Sequence, residues 1–393
     1  MSENNLPNLL RQLIKKLSKM KNVFLFLIVC CVSCTSASKK DLSQMPIVFV
    51  GTYTQKLGHV DGKASGIYTC RLDMATGELT VVDSVGGIAN PSFLTISPDK
   101  KHLYAVAENG GKPEEPFGSV ASYKITEGGK LLKINEVPSY GVAPCFVSTD
   151  QKGKCVYAAN YVTGNVVSYS VKADGGLTDS ISIHQHKGDS VAWAHQFIQS
   201  PDGKYLLSCD KGADKIFVYP YQENAKLAPL SNATISLAKG AGPRHLAFNP
   251  KNPNLFYVIN ENNNTINSIN FSEKSVIEQT VATLPADFKE KNSTADIHVH
   301  PKGKFVYGSN RGHNSIVAYM VNETTGQLNL IGHTSTQGLA PRNFMITTDG
   351  SLLLVANQNS SNVVAFSIDQ VTGKLTPTGA NSRVWTPVCL KML

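Results

Sequence analysis

Pro301-Lys-Gly-Lys-Phe-Val-Tyr-Gly-Ser-Asn310 is one copy of a short phrase that the chain repeats: a turn signal, an apolar run and a polar residue to close it. The other copies read Lys101-His-Leu-Tyr-Ala-Val-Ala107, Lys154-Cys-Val-Tyr-Ala-Ala-Asn160, Lys204-Tyr-Leu-Leu-Ser-Cys-Asp210, Asn254-Leu-Phe-Tyr-Val-Ile-Asn260 and Ser351-Leu-Leu-Leu-Val-Ala-Asn357. Pro46-Ile-Val-Phe-Val-Gly-Thr52 opens the series without the turn signal. The fourth residues are Phe49, Tyr104, Tyr157, Leu207, Tyr257, Tyr307 and Leu354, spaced 55, 53, 50, 50, 50 and 47 residues apart. A period near 50 made of short strands and turns predicts a propeller with four strands in each blade. Seven anchors predict seven blades.

The remaining strands of each period are legible. A Pro-led segment precedes each turn, as in Pro91-Ser-Phe-Leu-Thr-Ile96 and Pro243-Arg-His-Leu-Ala-Phe248. An alternating strand follows the anchor, as in Asn165-Val-Val-Ser-Tyr-Ser-Val171, and a Gly-Gly or Thr-Gly turn leads to a fourth strand. The order is inner, second, third, outer. Because the chain starts on a second strand at Ile47 and ends on an inner-strand segment, Pro387-Val-Cys-Leu390, its two ends should share one blade and close the ring. The prediction is an all-β, seven-bladed propeller of four-stranded antiparallel blades over residues 41–393, a single domain.

Residues 1–40 read as a leader. A ten-residue apolar run, Val23 to Val32, follows four lysines and is too short to span a bilayer. Cys34-Thr-Ser-Ala-Ser fits a lipoprotein cleavage context, with Cys34 carrying the lipid and the mature chain starting there. The expectation is an exported protein on the cell envelope, touching membrane only through that anchor. A cytoplasmic protein with a misread start is the alternative.

The formal charge of +8 is concentrated in the leader, which holds seven of the 37 Lys/Arg and one of the 29 Asp/Glu. The body keeps 30 bases against 28 acids, with no basic footprint for nucleic acid. Its five cysteines, Cys70, Cys145, Cys155, Cys209 and Cys389, show no CxxC and read mainly as small buried residues; a Cys145–Cys155 pairing is the lesser option.

Antiparallel pairing puts the start of each inner strand and the end of the next strand at one rim. Second residues of the inner strands give Ser92, Cys145, His195, Arg244, Asp296, Arg342 and Val388. Positions four past each anchor give Tyr53, Glu108, Tyr161, Lys211, Glu261, Arg311 and Gln358. His195, Arg244, Glu261, Arg311 and Arg342 should therefore meet at one channel mouth, charged groups that suit an anionic ligand. Arg311 is expected at a solvent-facing rim, where a change to Lys spares folding. Lys211→Arg is expected to do little. Asp296, His298 and His300 lie on one strand face as a metal site would require, but ordinary strand residues are the favoured reading, and no metal or cofactor is called for.

Gly242-Pro-Arg-His245, Ser309-Asn-Arg-Gly-His-Asn-Ser-Ile316, Gly338-Leu-Ala-Pro-Arg-Asn-Phe344 and Ala356-Asn-Gln-Asn-Ser360 carry a family resemblance. Over about residues 45–393 the chain resembles the seven-bladed propeller lactonases, which include bacterial 6-phosphogluconolactonase and fungal carboxy-muconate lactonizing enzyme. The resemblance implies a sugar-lactone hydrolase whose active-site quartet falls on His195, Arg244, Glu261 and Arg311. His245, Asn310, Arg342 and Gln358 are assigned to substrate binding. Either Glu261 or His195 is the base, acting on a small lactone or anionic sugar acid in a monomer without cofactor. Export would separate the protein from a cytoplasmic phosphosugar. Two alternatives stand: a muconate cycloisomerase, and a non-catalytic envelope propeller that binds a protein or glycan.

Overall fold

The computed structural model describes residues 41–188, 191–228, 234–272 and 274–393, with a few isolated positions before residue 17. Cys34 and the apolar run of the leader lie outside the described residues. The chain divides into two units, residues 1–44 and 45–393. In the first, Leu42–Gln44 form a single 3-10 turn. Among the described residues no helix is long and apolar enough to cross a membrane.

Residues 45–393 form seven four-stranded antiparallel sheets, with the strand order read from the sequence. Blade 1 combines Pro387–Met392 with Ile47–Thr52, Ile67–Leu72 and Leu79–Val85; blade 2 runs from Leu94 to Pro138 and blade 3 from Pro144 to Gln185. Blade 4 spans Ala194 to Ser236, blade 5 Pro243 to Ala282, blade 6 Thr294 to Ser335 and blade 7 Pro341 to Arg383. The chain ends do share a blade, with Val48 opposite Met392 and Val50 opposite Leu390.

The repeated phrase supplies the core. Its seven anchors are buried between sheets. Two tyrosines also tie blade to blade: Tyr257 Oη donates to the Gly326 carbonyl (3.1 Å) and Tyr307 Oη to the Gly373 carbonyl (2.9 Å). Each acceptor is the Gly of a Thr-Gly turn in the following blade. All five cysteines of this unit are buried free thiols, so Cys145 and Cys155 are not paired.

In three blades the asparagine closing the phrase is a structural pin. Asn160, Asn310 and Asn357 are buried, and each Nδ2 donates to a carbonyl in the connection from the preceding blade: Ser139 (2.9 Å), Thr283 (2.9 Å) and Thr336 (3.1 Å). In blade 4 an aspartate takes this place, and a histidine replaces the carbonyl. Asp210 Oδ2 lies 2.8 Å from His186 Nδ1, both fully enclosed.

Closure by the last strand leads to a test. A chain ending at Thr386 leaves the backbone of Ile47–Thr52 unpaired on one side and uncovers Val48, Val50 and Leu94. It should lose cooperative melting by circular dichroism and bind an apolar dye. A truncated chain that melts cooperatively at the parent temperature would contradict the closure.

Candidate active site

One backbone hydrogen bond, made in all seven blades, builds the mouth. The residue just past each second strand donates its N–H to the carbonyl just ahead of the inner strand of the same blade. The pairs are Tyr53 to Thr386, Glu108 to Asn90, Tyr161 to Ala143, Lys211 to Trp193, Glu261 to Gly242, Arg311 to Ser293 and Gln358 to Ala340, at 2.7 to 3.2 Å. These donors are the seven residues picked out by counting from the anchors.

The carbonyl side carries strain. In five blades the residue ahead of the opening proline has a left-handed φ: Asn90 (46°), Ala143 (56°), Gly242 (69°), Ala340 (57°) and Thr386 (42°). For a residue with a Cβ this costs roughly 1–3 kcal/mol, and such strain gathers at functional sites. At Gly242 a Cβ would also stand 2.5 Å from the Asn262 side chain.

A bulge follows. The pairing skips one residue in blades 3, 4, 5 and 7, and the skipped residues are Cys145, His195, Arg244 and Arg342. Bulges of this kind re-aim a side chain. In blade 6 Ala295 and Asp296 together stand opposite Ser309, between the pairs Thr294–Asn310 and Ile297–Gly308, and the strand begins at Thr294. Asp296 is therefore one residue further along than sequence counting places it.

Glu261 gathers three cations. Its Oε1 accepts from Lys211 Nζ at 2.6 Å, while its Oε2 lies 3.0 Å from both Arg244 Nε and Arg311 Nη2. The Arg244 Nε contact is an ion pair without an aligned hydrogen bond. These side chains are 3 to 14% exposed. Backbone carbonyls fix the arginines further: Arg244 Nη1 donates to Ala295 (2.6 Å) and Arg311 Nη2 to Thr294 (3.0 Å). Burial alone would raise the Glu261 carboxyl, but Arg311, Arg244 and Lys211 overrule it and hold it down to about 2. Burial, opposed by Glu261, brings Arg311 down to about 10, still charged at neutral pH.

The other predicted residues divide sharply. His195 is buried, and neither ring nitrogen has a hydrogen-bond partner among the described residues. Burial, then the charges of Arg244, His245 and Arg342, push its pKa well below the ordinary 6.5, so the ring is neutral. Arg342 has no carboxylate or carbonyl partner among the described residues; its guanidinium lies 5.4 Å from the centre of the Tyr53 ring. Gln358 is buried at the mouth with Oε1 unpartnered. His245 faces the channel interior, its Nδ1 2.7 Å from Asp296 Oδ1 and its ring 5.0 Å from that of His195. Burial and Arg244 lower His245 to about 4 despite Asp296. Asn310 does not join the site: both ends of its amide are engaged by Thr283, Ser315 and Asn292.

Neither do the three candidate metal ligands converge. Asp296 bonds His245 and, at 3.0 Å, His298 Nε2, whereas His300 Nε2 is 3.1 Å from the Gly350 carbonyl. Arg311 is enclosed rather than solvent-facing, and Lys211 is a member of the cluster rather than a bystander. Opposite them, Tyr53 Oη donates to both oxygens of Glu108 (2.9 and 2.8 Å), and Ser92 donates to the same carboxylate. Lys211 Nζ lies 5.6 Å from the ring centres of Tyr161 and Trp193. The mouth thus holds four cations, Lys211, Arg244, Arg311 and Arg342, against two carboxylates. Beneath it, Ser92, Glu108, His245 and Arg342 help line a cavity of about 10 Å³, room for a single water. A larger concavity of about 950 Å³ lies toward the opposite face of blades 4 and 5, lined by Tyr205, Phe271, Ile277 and surface lysines, without such convergence.

Known proteins share this architecture. The family described as lactonase, 7-bladed beta-propeller, matches residues 47–392. The chain belongs to this family. It is 32% identical over 358 residues to a 6-phosphogluconolactonase of Bacillus subtilis, covering 88% of this chain and 98% of the relative. A 6-phosphogluconolactonase of Formosa agariphila is 33% identical over 79% of this chain and 88% of its own. The structure of a periplasmic gluconolactonase from Pseudomonas aeruginosa superposes with a TM-score of 0.82 at 31% identity, covering 89% of this chain and 99% of that one.

Glu261→Gln should leave Lys211, Arg244 and Arg311 without their counter-charge and cost about 3–5 kcal/mol in urea unfolding. A carboxyl lowered in the folded state contributes stability above its unfolded value, near 4.5, and loses it as pH falls toward about 2. The gap between wild type and variant should therefore close from pH 5 to pH 2. A gap independent of pH would refute the charge assignment.

Proposed function

We propose that the protein hydrolyses sugar lactones at this mouth, with His195 as the base and Arg342 as the principal anion-stabilising group. The observation that carries this reading is the pair left without a hydrogen-bond or ion-pair partner among the described residues: a neutral His195 and the guanidinium of Arg342, facing a mouth with excess positive charge. Glu261 is a poor base, being held near 2 by three cations. Its role is to fix Arg244 and Arg311.

The chemistry follows from the groups present. A water gives a proton to His195 as its oxygen bonds to the lactone carbonyl carbon. The carbonyl oxygen becomes an oxyanion against Arg342, with Arg311 and Arg244 adding field. Collapse breaks the bond to the ring oxygen, which takes the proton back from His195, and a hydroxy acid is released. Trp193 and Tyr161, stacked at 5.9 Å, offer an apolar wall for a sugar ring. The relatives named 6-phosphogluconolactonase and gluconolactonase support the substrate class. We also place the protein on the cell envelope as a lipoprotein anchored at Cys34. The leader sequence supports this, as does the periplasmic description of the Pseudomonas relative.

Purified protein should hydrolyse glucono-1,5-lactone or 6-phosphogluconolactone above the spontaneous rate, with or without chelator. Arg342→Lys should lose roughly 10²-fold in kcat/KM, because an ammonium cannot reproduce a planar fork. His195→Asn should lose about 10²–10⁴-fold. The acidic limb of the kcat/KM profile should fall well below pH 6.5, since only the neutral ring accepts a proton. Hydrolysis at the spontaneous rate on every lactone would refute the proposal, as would an Arg342→Lys variant of full activity.

A further inference from the structure

The seven mouth turns, which join second to third strands, are not alike. In blades 3 to 7 they are four residues long: 161–164, 211–214, 261–264, 311–314 and 358–361. Blade 2 extends its turn to residues 108–118, and blade 1 extends its own to 53–66. The blade 1 extension folds as a small hairpin, with Lys56–Leu57 paired to Val60–Asp61.

The hairpin is held in place rather than hanging free. At its base the N–H groups of Thr54 and Gln55 both donate to Asn90 Oδ1 at 3.0 Å, and Lys63 N donates to Thr386 Oγ1 at 3.0 Å. Val60 is buried beside Tyr53 and Val388. So fixed, it brings the His59 ring to 5.3 Å from that of Tyr53, edge to face. Burial and the nearby Arg342 lower the His59 pKa, which leaves an uncharged donor there.

Between the hairpin and blade 7 lies a concavity of about 420 Å³, lined by Lys56, His59, Lys63, Gln358, Asn359 and Thr386. Asp61 also lines it, opposite Lys56 across the hairpin, so the charges are two lysines against one carboxylate. Lys56 has no carboxylate partner among the described residues, whereas Lys63 is matched by Asp61 at 3.0 Å. Gln358 adds an amide whose buried Oε1 lacks a donor, a match for a hydroxyl. The concavity and the mouth share Gln358, so a ligand held at Arg342 has this groove beside it.

We propose that this hairpin groove is a second subsite, which binds a terminal oxyanion, phosphate or carboxylate, at the far end of the sugar acid. The assignment rests on the lactone reading of the mouth. Lys56 supplies the charge, His59 an N–H, and Gln358 accepts from a hydroxyl between the two ends. Selectivity for a charged over an uncharged lactone is thereby placed on a loop, apart from the groups that open the ring.

The test is a Lys56→Ser/His59→Asn double variant, assayed on glucono-1,5-lactone, on 6-phosphogluconolactone and on the lactone of a sugar diacid. Loss of a charge-assisted contact should raise KM roughly tenfold on the substrates bearing the terminal oxyanion that the groove accepts, with kcat held within about twofold. Glucono-1,5-lactone, which has no such group, should be unaffected. A rise for the phosphate alone or the carboxylate alone identifies the ligand. An equal rise on all three lactones, or no rise on any, would overturn the subsite. If wild type opens no lactone, the mouth reading fails by itself, and calorimetry with gluconate, 6-phosphogluconate and the sugar diacid still decides the groove. The variant must then lose roughly tenfold in affinity for at least one of the doubly anionic ligands while its affinity for gluconate stays the same. No selective loss overturns the proposal.

Discussion

The mouth depends on a single backbone contact: the N–H beyond each second strand bound to the carbonyl ahead of its own inner strand, seven times over. Both groups belong to the main chain, so the contact is indifferent to the side chain it displays. That indifference lets a ring of similar blades present Tyr, Glu, Tyr, Lys, Glu, Arg and Gln in succession. The left-handed residues and bulges that follow are the local cost of turning a strand end toward the channel. Rigid backbone and variable side chains are what a preorganised site requires.

Electrostatics then decides which of the displayed groups are available. One carboxylate buried beside three cations offsets part of their charge while leaving a net positive field, and the Nε groups of Arg244 and Arg311 have no aligned acceptor among the described residues. Arg342 stands outside that cluster, and aromatic contact with Tyr53 holds it without satisfying its N–H groups. The same division appears in the histidines. His245 is committed to Asp296, whereas the His195 ring has no hydrogen-bond partner among the described residues.

Much of this was legible in the chain because a repeat of near-constant length carries its phase from blade to blade. Blade number, strand order, closure and the ring of rim residues all follow from counting anchors. Counting failed where local geometry breaks the count. The bulge in blade 6 falls between Thr294 and Ile297, and nothing in Thr294-Ala-Asp-Ile297 announces it. Asn310 sits beside Arg311 in sequence but points into the joint between blades, since neighbours on a strand face opposite ways. The pairing of Lys211 with Glu261 depends on side-chain reach between the adjacent blades 4 and 5, which no spacing encodes. His59 did leave a trace: the step from Phe49 to Tyr104 is 55 residues, the longest of the six. Surplus residues in a repeat mark the place where one copy does something the others do not.

The shared blade also bears on the order in which the molecule is made. Thr52 and Pro387 oppose each other although about 335 residues separate them. The first strands synthesised wait for the last, and pairings so distant form slowly. Throughout that wait the chain is an open arc with one strand's backbone bare. The terminal strand of a second copy fits that gap as well as the chain's own. A high protein concentration during folding would therefore set a second copy's terminal strand in competition for that edge.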